Sequence, residues 1–274
     1  MEKYISYKIQ VSDEEQSIVL ALLSDIGFES FIEESNSLEA FISESDYKVH
    51  KEIIDHYFSD NSYQFMINNH DPKDWNKLWE SNFDDIIIKD KLHIRALFHP
   101  KRNDIETELI ISPKMAFGTG HHATTFQIMA WMVDVDFENL DVLDFGCGTG
   151  ILAIYAKLKK CKSIDLIDIE SQAIDNVYDN LELNLLKADL IALGSTEQIP
   201  NKMYDVIFAN ITRNVISEVL AKLVNHLRPN GRIIFSGFLE QDKTYMEELF
   251  QSYQLKTIFE SMKIDWLCIV CEKT

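Results

Sequence analysis

Residues 142–150 read VLDFGCGTG, an apolar strand-like run that meets three glycines in five positions, followed by the helix-forming ILAIYAKL. Glycines so spaced are costly in chain entropy. Their use points to a turn that needs positive φ and bare backbone, as when a ligand lies against a strand-to-helix junction. Beyond the turn the alternation continues: SIDLID (163–168) and a helix through Asn184; ADLIAL (188–193); YDVIFAN (204–210) and a helix to Leu227; GRIIFSGF (231–238) and a helix to Tyr253. Such alternation specifies a mostly parallel, Rossmann-like sheet with helices on both faces. LKTIFESM (255–262) and IDWLCIVCE (264–272) leave almost no room between them, which predicts an antiparallel hairpin at the sheet edge and a seven-stranded sheet in all.

The first part of the chain has another rhythm. KYISYKIQV (3–11) reads as a strand, and Ser12 to Glu15 predicts a capping box ahead of the helix QSIVLALLSDIG. FESFIEE and LEAFISE predict a hairpin through Ser35-Asn36-Ser37, followed by a helix over DYKVHKEIIDHYF and a strand over SYQFMIN. This is the split βαβ order of a small α+β, ferredoxin-like domain, assigned to residues 1–69. His50 and His56 lie on its second helix without a companion metal motif, so surface positions are expected. Asp71-Pro72 predicts the start of a linker helix over residues 70–84, with Trp75, Leu78 and Trp79 on one face. Strands DIIIKD, LHIRALF and TELIISP then open the third region, 85–274.

Charge is unevenly spread. The chain has net charge −19, and residues 1–70 carry four Lys and Arg against fourteen Asp and Glu. Half of the acid excess thus sits on a quarter of the chain, which disfavours nonspecific nucleic-acid binding and suits a basic partner. No apolar run approaches the length of a membrane span, and MEKYISYKIQVSDEEQ lacks the layout of a secretion signal. Four scattered cysteines form no disulfide framework; a reduced, cytoplasmic protein is expected. No long apolar repeat advertises an interface, so a monomer is expected.

The candidate site residues cluster at predicted strand ends. Asp144, Gly146, Gly148 and Gly150 form the turn after the first strand of the alternating region; because the third glycine falls at 150 and residue 151 is Ile, the spacing is G-x-G-x-G rather than the dinucleotide G-x-G-x-x-G. That variant leaves room for an amino-acid-bearing nucleoside. Asp168, at the tip of the second strand, can accept two hydrogen bonds and suits a vicinal diol better than Glu170, while Asp165 lies in the strand interior. Asn210 ends the fourth strand, at the mouth where ligands of open α/β sheets bind. A second glycine-rich run, MAFGTGHHATT, occupies 115–125. The adjacent His121 and His122 point in different directions and carry no metal spacing, and Cys268 and Cys271 fall on opposite faces of a strand; no metal is expected.

The G-x-G-x-G turn, the second-strand acid and the fourth-strand Asn resemble a class I S-adenosylmethionine-dependent methyltransferase. AFGTGHHATT (116–125), DFGCGTGILAI (144–154), FANIT (208–212) and Asp265-Trp266 together resemble the PrmA family, the ribosomal protein L11 methyltransferases. The resemblance covers nearly the whole chain, and AFGTG-H-x-x-TT with FANI is its most specific part. It implies S-adenosyl-L-methionine as cofactor, with Thr125, Gly146, Asp168 and Asn210 at cofactor-binding positions. Phe117, Gly118, Thr119 and Gly120 would then close over the methionine end. It implies as substrate the basic ribosomal protein L11, methylated at its N-terminal α-amine and lysine ε-amines and held by the acidic N-terminal domain. Asn210 takes an orienting role, with no general base nominated.

Rival functions leave different marks. A glutamine or exocyclic-amine methyltransferase would carry N-P-P-Y where this chain has Asn210-Ile-Thr, and the acid excess disfavours RNA. A small-metabolite methyltransferase and a non-catalytic binding module with an intact pocket stay open, whereas a nicotinamide oxidoreductase conflicts with the glycine spacing.

Overall fold

The computed structural model describes residues 3–61, 63–70, 84–112 and 118–274. The linker helix expected over 70–84 therefore lies almost wholly outside the described residues, as does Phe117. The chain divides into two compact units, Met1–Phe83 and Asp84–Thr274.

The first unit runs β1 (Tyr4–Gln10), α1 (Asp13–Asp25), β2 (Ser30–Glu34), β3 (Ser37–Ser43), α2 (Glu44–Asp60) and β4 (Gln64–His70). Its antiparallel sheet has the order β2-β3-β1-β4. Each helix therefore crosses over one intervening strand, the split βαβ arrangement. Period-2 alternation places Ile5, Tyr7 and Ile9 on the buried face, where they meet Val19 and Leu23 of α1 and Ile54 and Phe58 of α2. The Tyr7 ring stacks on Phe58 at 4.7 Å. The β2–β3 hairpin turns at Asn36, with φ 57°. The capping box expected at Ser12 does not form. The Ser12 hydroxyl donates to the Glu15 carboxylate at 2.8 Å instead of accepting from the backbone. His50 is half-buried beside Gly27, and His56 is exposed and 3.4 Å from Asp60.

The second unit opens with a three-stranded sheet, β5 (Ile86–Ile88), β6 (Leu92–Arg95) and β7 (Thr107–Ile110). There follow α3 (Ala123–Val133), β8 (Asp141–Phe145), α4 (Ile151–Leu158), β9 (Ser163–Asp168), α5 (Ser171–Leu183), β10 (Leu190–Leu193) and β11 (Tyr204–Asn210). The chain continues through α6 (Arg213–Asn225), β12 (Leu227–Leu239), α7 (Lys243–Ser252), β13 (Leu255–Lys263) and β14 (Trp266–Lys273). The main sheet has the order β10-β9-β8-β11-β12-β14-β13. Its first five strands are parallel, and the closing hairpin is antiparallel to β12. β14 lies inside the sheet and β13 forms its edge, with a register shift between Thr257 and Phe259.

Both faces of the sheet are covered, as the continuous apolar strands require. One face packs on α3, α4 and α5 through Ile128, Met132, Leu152 and Val177. The other packs on α6 and α7 through Leu220, Leu223, Met246 and Phe250. Cys268 belongs to the first cluster and Cys271 to the second, on opposite faces of β14. No helix among the described residues is long and apolar enough to cross a membrane. Phe250 is buried and stacks on Phe235 at 4.2 Å. Phe250→Ala is expected to cost about 3–5 kcal/mol of unfolding free energy, measured by urea denaturation, through lost contact and the cavity left behind.

Candidate functional site

Strand order reverses direction at β8, which has β9 on one side and β11 on the other. The carboxyl ends of these three strands converge there, at the switch point where open α/β sheets bind ligands. The turn after β8 is built on left-handed backbone: Gly146, Gly148 and Gly150 have φ of 73°, 53° and 75°. A side chain at Gly146 would collide with the Ile211 side chain, and a Cβ at Gly150 would sit 3.1 Å from methyls of Leu166 and Val177. Glycine is thus required both for backbone conformation and for close approach.

The turn is tied to its neighbour strand. The Gly146 N–H donates to the Ile167 carbonyl at 2.8 Å, and the Gly148 N–H donates to Asp168 Oδ2 at 2.8 Å. Asp168 Oδ1 accepts from the Glu170 N–H at 3.0 Å. Each carboxylate oxygen keeps a further lone pair for a ligand. Asp165, by contrast, is buried away from the mouth, where it accepts from the Tyr204 hydroxyl at 2.6 Å and pairs with Lys202 at 2.8 Å.

Gly146, Gly148, Asp168 and Asn210 line one cavity of about 270 Å³, with Phe145, Ile167, Ile169, Ile211 and Val215 as its apolar wall. Asn210 Nδ2 donates to Thr125 Oγ1, on the first turn of α3, at 3.1 Å. Asn210 Oδ1 is buried without a partner. An unpaired buried acceptor costs free energy, so it marks a place for a ligand donor. The upstream glycine run meets the turn directly, because Thr149 Oγ1 donates to the Gly118 carbonyl at 2.5 Å. Thr119 Oγ1 and His121 Nδ1 are 3.2 Å apart, and His121 Nε2 is 2.8 Å from the Asp84 carbonyl. Gly120 packs over Ile86, Ile94 and Ile151. Residues 118–120 and Thr125 therefore abut the turn and Asn210 without lining the cavity.

Asp144 and Gly150 lie beneath the cavity rather than on its wall. Asp144 is 1% exposed, and one oxygen accepts from the Ala153 N–H of α4 at 3.2 Å. Burial pushes its pKa up to about 8, against the Ala153 bond, with the Asp168 charge raising it further. Cys147 is buried and its thiol is also pushed up, first by desolvation, which leaves it inert as a nucleophile. His122 caps α3, its ring accepting from the Thr124 N–H and lying edge-on to Trp266 at 4.9 Å. Among the described residues no cluster of His, Cys, Asp or Glu could hold a metal.

Sequence reasoning missed Gly194, Ser195, Ile211, Thr212 and Val215 on the cavity wall. The Gly-Ser pair after ADLIAL was an available signal, since a strand end beside Asp168 must face the same mouth. The Gly194 N–H in fact donates to the Asp168 carbonyl at 2.8 Å.

A glycine turn handing over to an acid on the next strand, in a parallel sheet closed by an antiparallel hairpin, defines a Rossmann-like methyltransferase. Comparison with known proteins narrows the class. The family model for ribosomal protein L11 methyltransferase (PrmA) matches residues 4–274, and the chain belongs to that family. It is 35% identical over 257 residues to the ribosomal protein L11 methyltransferase of Phocaeicola vulgatus, covering 92% of each chain. It is 37% identical over 260 residues to that of Porphyromonas gingivalis, covering 90% of this chain and 89% of the relative. The crystal structure of a ribosomal protein L11 methylase from Lactobacillus delbrueckii subsp. bulgaricus superposes with a TM-score of 0.63 at 25% identity, covering 70% of this chain and all (100%) of that one. A methyltransferase from Pyrococcus furiosus shares the fold, with a TM-score of 0.51 at 16% identity over 60% of this chain and 89% of its own.

The Asp144 environment has a pH signature. Below about pH 4 the carboxyl is protonated in folded and unfolded chains alike. Between about 4 and 8 the unfolded chain ionises and the folded one does not, so this group lowers stability as pH rises, by up to about 1.4 kcal/mol per unit. Asp144→Asn should therefore gain stability relative to the parent between pH 4.5 and 8, as read by urea denaturation at each pH.

Proposed function

We propose that the protein transfers methyl groups from S-adenosyl-L-methionine to amines of ribosomal protein L11, the N-terminal α-amine and lysine ε-amines. The observation that carries this reading is the pairing, in one apolar cavity, of Asp168 with spare acceptor capacity and Asn210 with an unpaired Oδ1. Those donors and acceptors fit a nucleoside bearing an amino acid: Asp168 suits the ribose diol, the apolar wall suits the base, and the bare backbone of Gly146 and Gly148 admits the chain between them. The upstream segment from Gly118 to Thr125 supplies the other side of the site in this reading. It meets the turn at Gly118 and Asn210 through Thr125.

When bound, the cofactor supplies an electrophilic methyl group on a positively charged sulfur. The protein's own task is then to bring a neutral amine into line. A lysine amine has a pKa of about 10.4 in water, and a dry, apolar mouth lowers it by penalising the charged form. Asn210 Oδ1, an acceptor with no internal partner, orients a donor at that mouth. Asp144 is buried beneath the turn and the spare acceptor capacity of Asp168 is assigned to the ribose diol, so neither is assigned as a general base. Alignment and exclusion of water carry the rate.

The domain roles follow from charge. Residues 1–69 form the recognition domain, residues 70–84 the linker, and the acid excess of the first part draws a basic protein substrate toward the catalytic part, 85–274. The protein works in the cytoplasm as a monomer, without nucleic acid. Among the alternatives, a different protein, RNA or a small molecule as methyl acceptor would use the same cofactor site.

Two measurements test the proposal. Incubation of the protein and S-adenosylmethionine with ribosomal protein L11 should add mass in 14-Da steps, of the order of one per methyl group, at amines alone on intact-mass and peptide spectra. Unmodified L11 would overturn the substrate. Asn210→Ala should lower kcat/KM by about tenfold or more, the loss of one oriented hydrogen bond; unchanged turnover and unchanged cofactor affinity would remove Asn210 from the site.

A further inference from the structure

Asn180, in the last turn of α5, is fully buried. Both polar atoms of its side-chain amide have partners. Oδ1 accepts from the Ser112 N–H at 2.8 Å, while Nδ2 donates to the Thr149 carbonyl at 2.9 Å and to Asn176 Oδ1 at 3.3 Å. Thr149 is itself fully buried, and its hydroxyl donates a hydrogen bond to the Gly118 carbonyl. These bonds form one continuous series, Ser112 to Asn180 to Thr149 to Gly118. It starts just past β7, crosses α5 and the turn after β8, and ends on the upstream glycine run.

The chemistry allows only one orientation of the Asn180 amide. Ser112 offers an N–H and Thr149 offers a carbonyl, so a flipped amide would set donor against donor and acceptor against acceptor. Neither an apolar residue nor a carboxylate can serve both partners. The neighbouring Asn184, the C-cap of the same helix, provides a contrast. It bonds the Ile110 N–H at 2.9 Å, the Ile110 carbonyl at 2.7 Å and the Asn180 carbonyl at 2.7 Å, and none of these partners lies in the turn after β8. Asn184 fastens β7 to α5. Asn180 does that and also holds the turn.

We propose that Asn180 is a positioning residue for the methyl-donor site: through Thr149 it sets the spacing between the two glycine-rich segments without lining the cavity itself. The effect on ligand affinity rests on the function proposed above; the hold on the two segments does not. Removing the amide leaves the Thr149 carbonyl buried and unpaired, a cost that the turn escapes by moving toward water. Such a movement displaces Gly146 and Gly148 from the cavity wall.

The test uses full-length protein and matched truncations. Asn180→Ala and Thr149→Val should each weaken S-adenosylmethionine binding in calorimetry by about tenfold, which is about 1.4 kcal/mol. Thr149→Ser keeps the hydroxyl and should bind as the parent does. Asn184→Ala should lower Tm yet leave the affinity unchanged. Without ligand, Asn180→Ala should speed amide hydrogen exchange at Gly148 and Gly150, whereas Asn184→Ala should not. Equal losses of affinity in the Asn180 and Asn184 variants, or unchanged exchange in the turn of Asn180→Ala, would overturn the inference. A parent protein that binds no S-adenosylmethionine would instead refute the proposed cofactor, and the exchange rates alone would then decide the role of Asn180.

Discussion

Hydrogen bonds along β8 determine where chemistry can occur in this protein. Its five residues are buried on both faces, and it pairs in parallel with β9 from Asp141↔Ser163 to Phe145↔Ile167 and with β11 from Val206↔Val142 to Ala209↔Phe145. Parallel pairing aligns strand ends, so Gly146, Asp168 and Asn210 emerge at one level although they are far apart in sequence. The contact between the Gly148 N–H and Asp168 then converts a shared edge into a shaped site. Shifting β8 by one residue would exchange its two faces and remove that contact.

Much of this was legible before any coordinates. The β–α alternation specified a parallel sheet, and the G-x-G-x-G spacing placed the turn. The strand over residues 3–11 and the split βαβ order of the first domain were readable as well. The closing hairpin was also readable, and the difference between its strands had a signal: WLCIVC is a continuous apolar run suited to an interior strand, while LKTIFES mixes charge and suits an edge. Other features depend on contacts between distant residues and leave no local trace. Ile211 looks like a spacer in Asn-Ile-Thr, yet it packs against both Gly146 and Gly237. Asn180 and Asn184 look like surface polar residues of a helix, and their partners lie on strand and turn segments that only the fold brings near. Ser12 showed the opposite failure, since a correct local pattern lost its bond to a nearby carboxylate.

Electrostatics divide the molecule by purpose. The acid excess of the first 70 residues acts through its summed field, as exposed side chains such as Asp13, Glu15, Glu29, Asp46, Glu52 and Asp55 are each screened by solvent. At the site a few groups count individually. Asp144 is kept neutral near physiological pH by burial, which spares Asp168 a second negative charge close by. Asp168 is held in place by the Gly148 and Glu170 N–H groups, one on each carboxylate oxygen.

The position of β14 has a consequence for synthesis. Until residues 255–274 have been made, β12 is the terminal strand of the main sheet, and it carries the buried Ile233, Ile234 and Phe235 with unpaired backbone along one side. A nascent or truncated chain ending there would offer a sticky template to any passing β-segment. In the finished protein the exposed margin is β13 instead, whose register shift and Lys256, Glu260 and Lys263 discourage such pairing. The β13–β14 hairpin is thus the segment that guards the main sheet against aggregation.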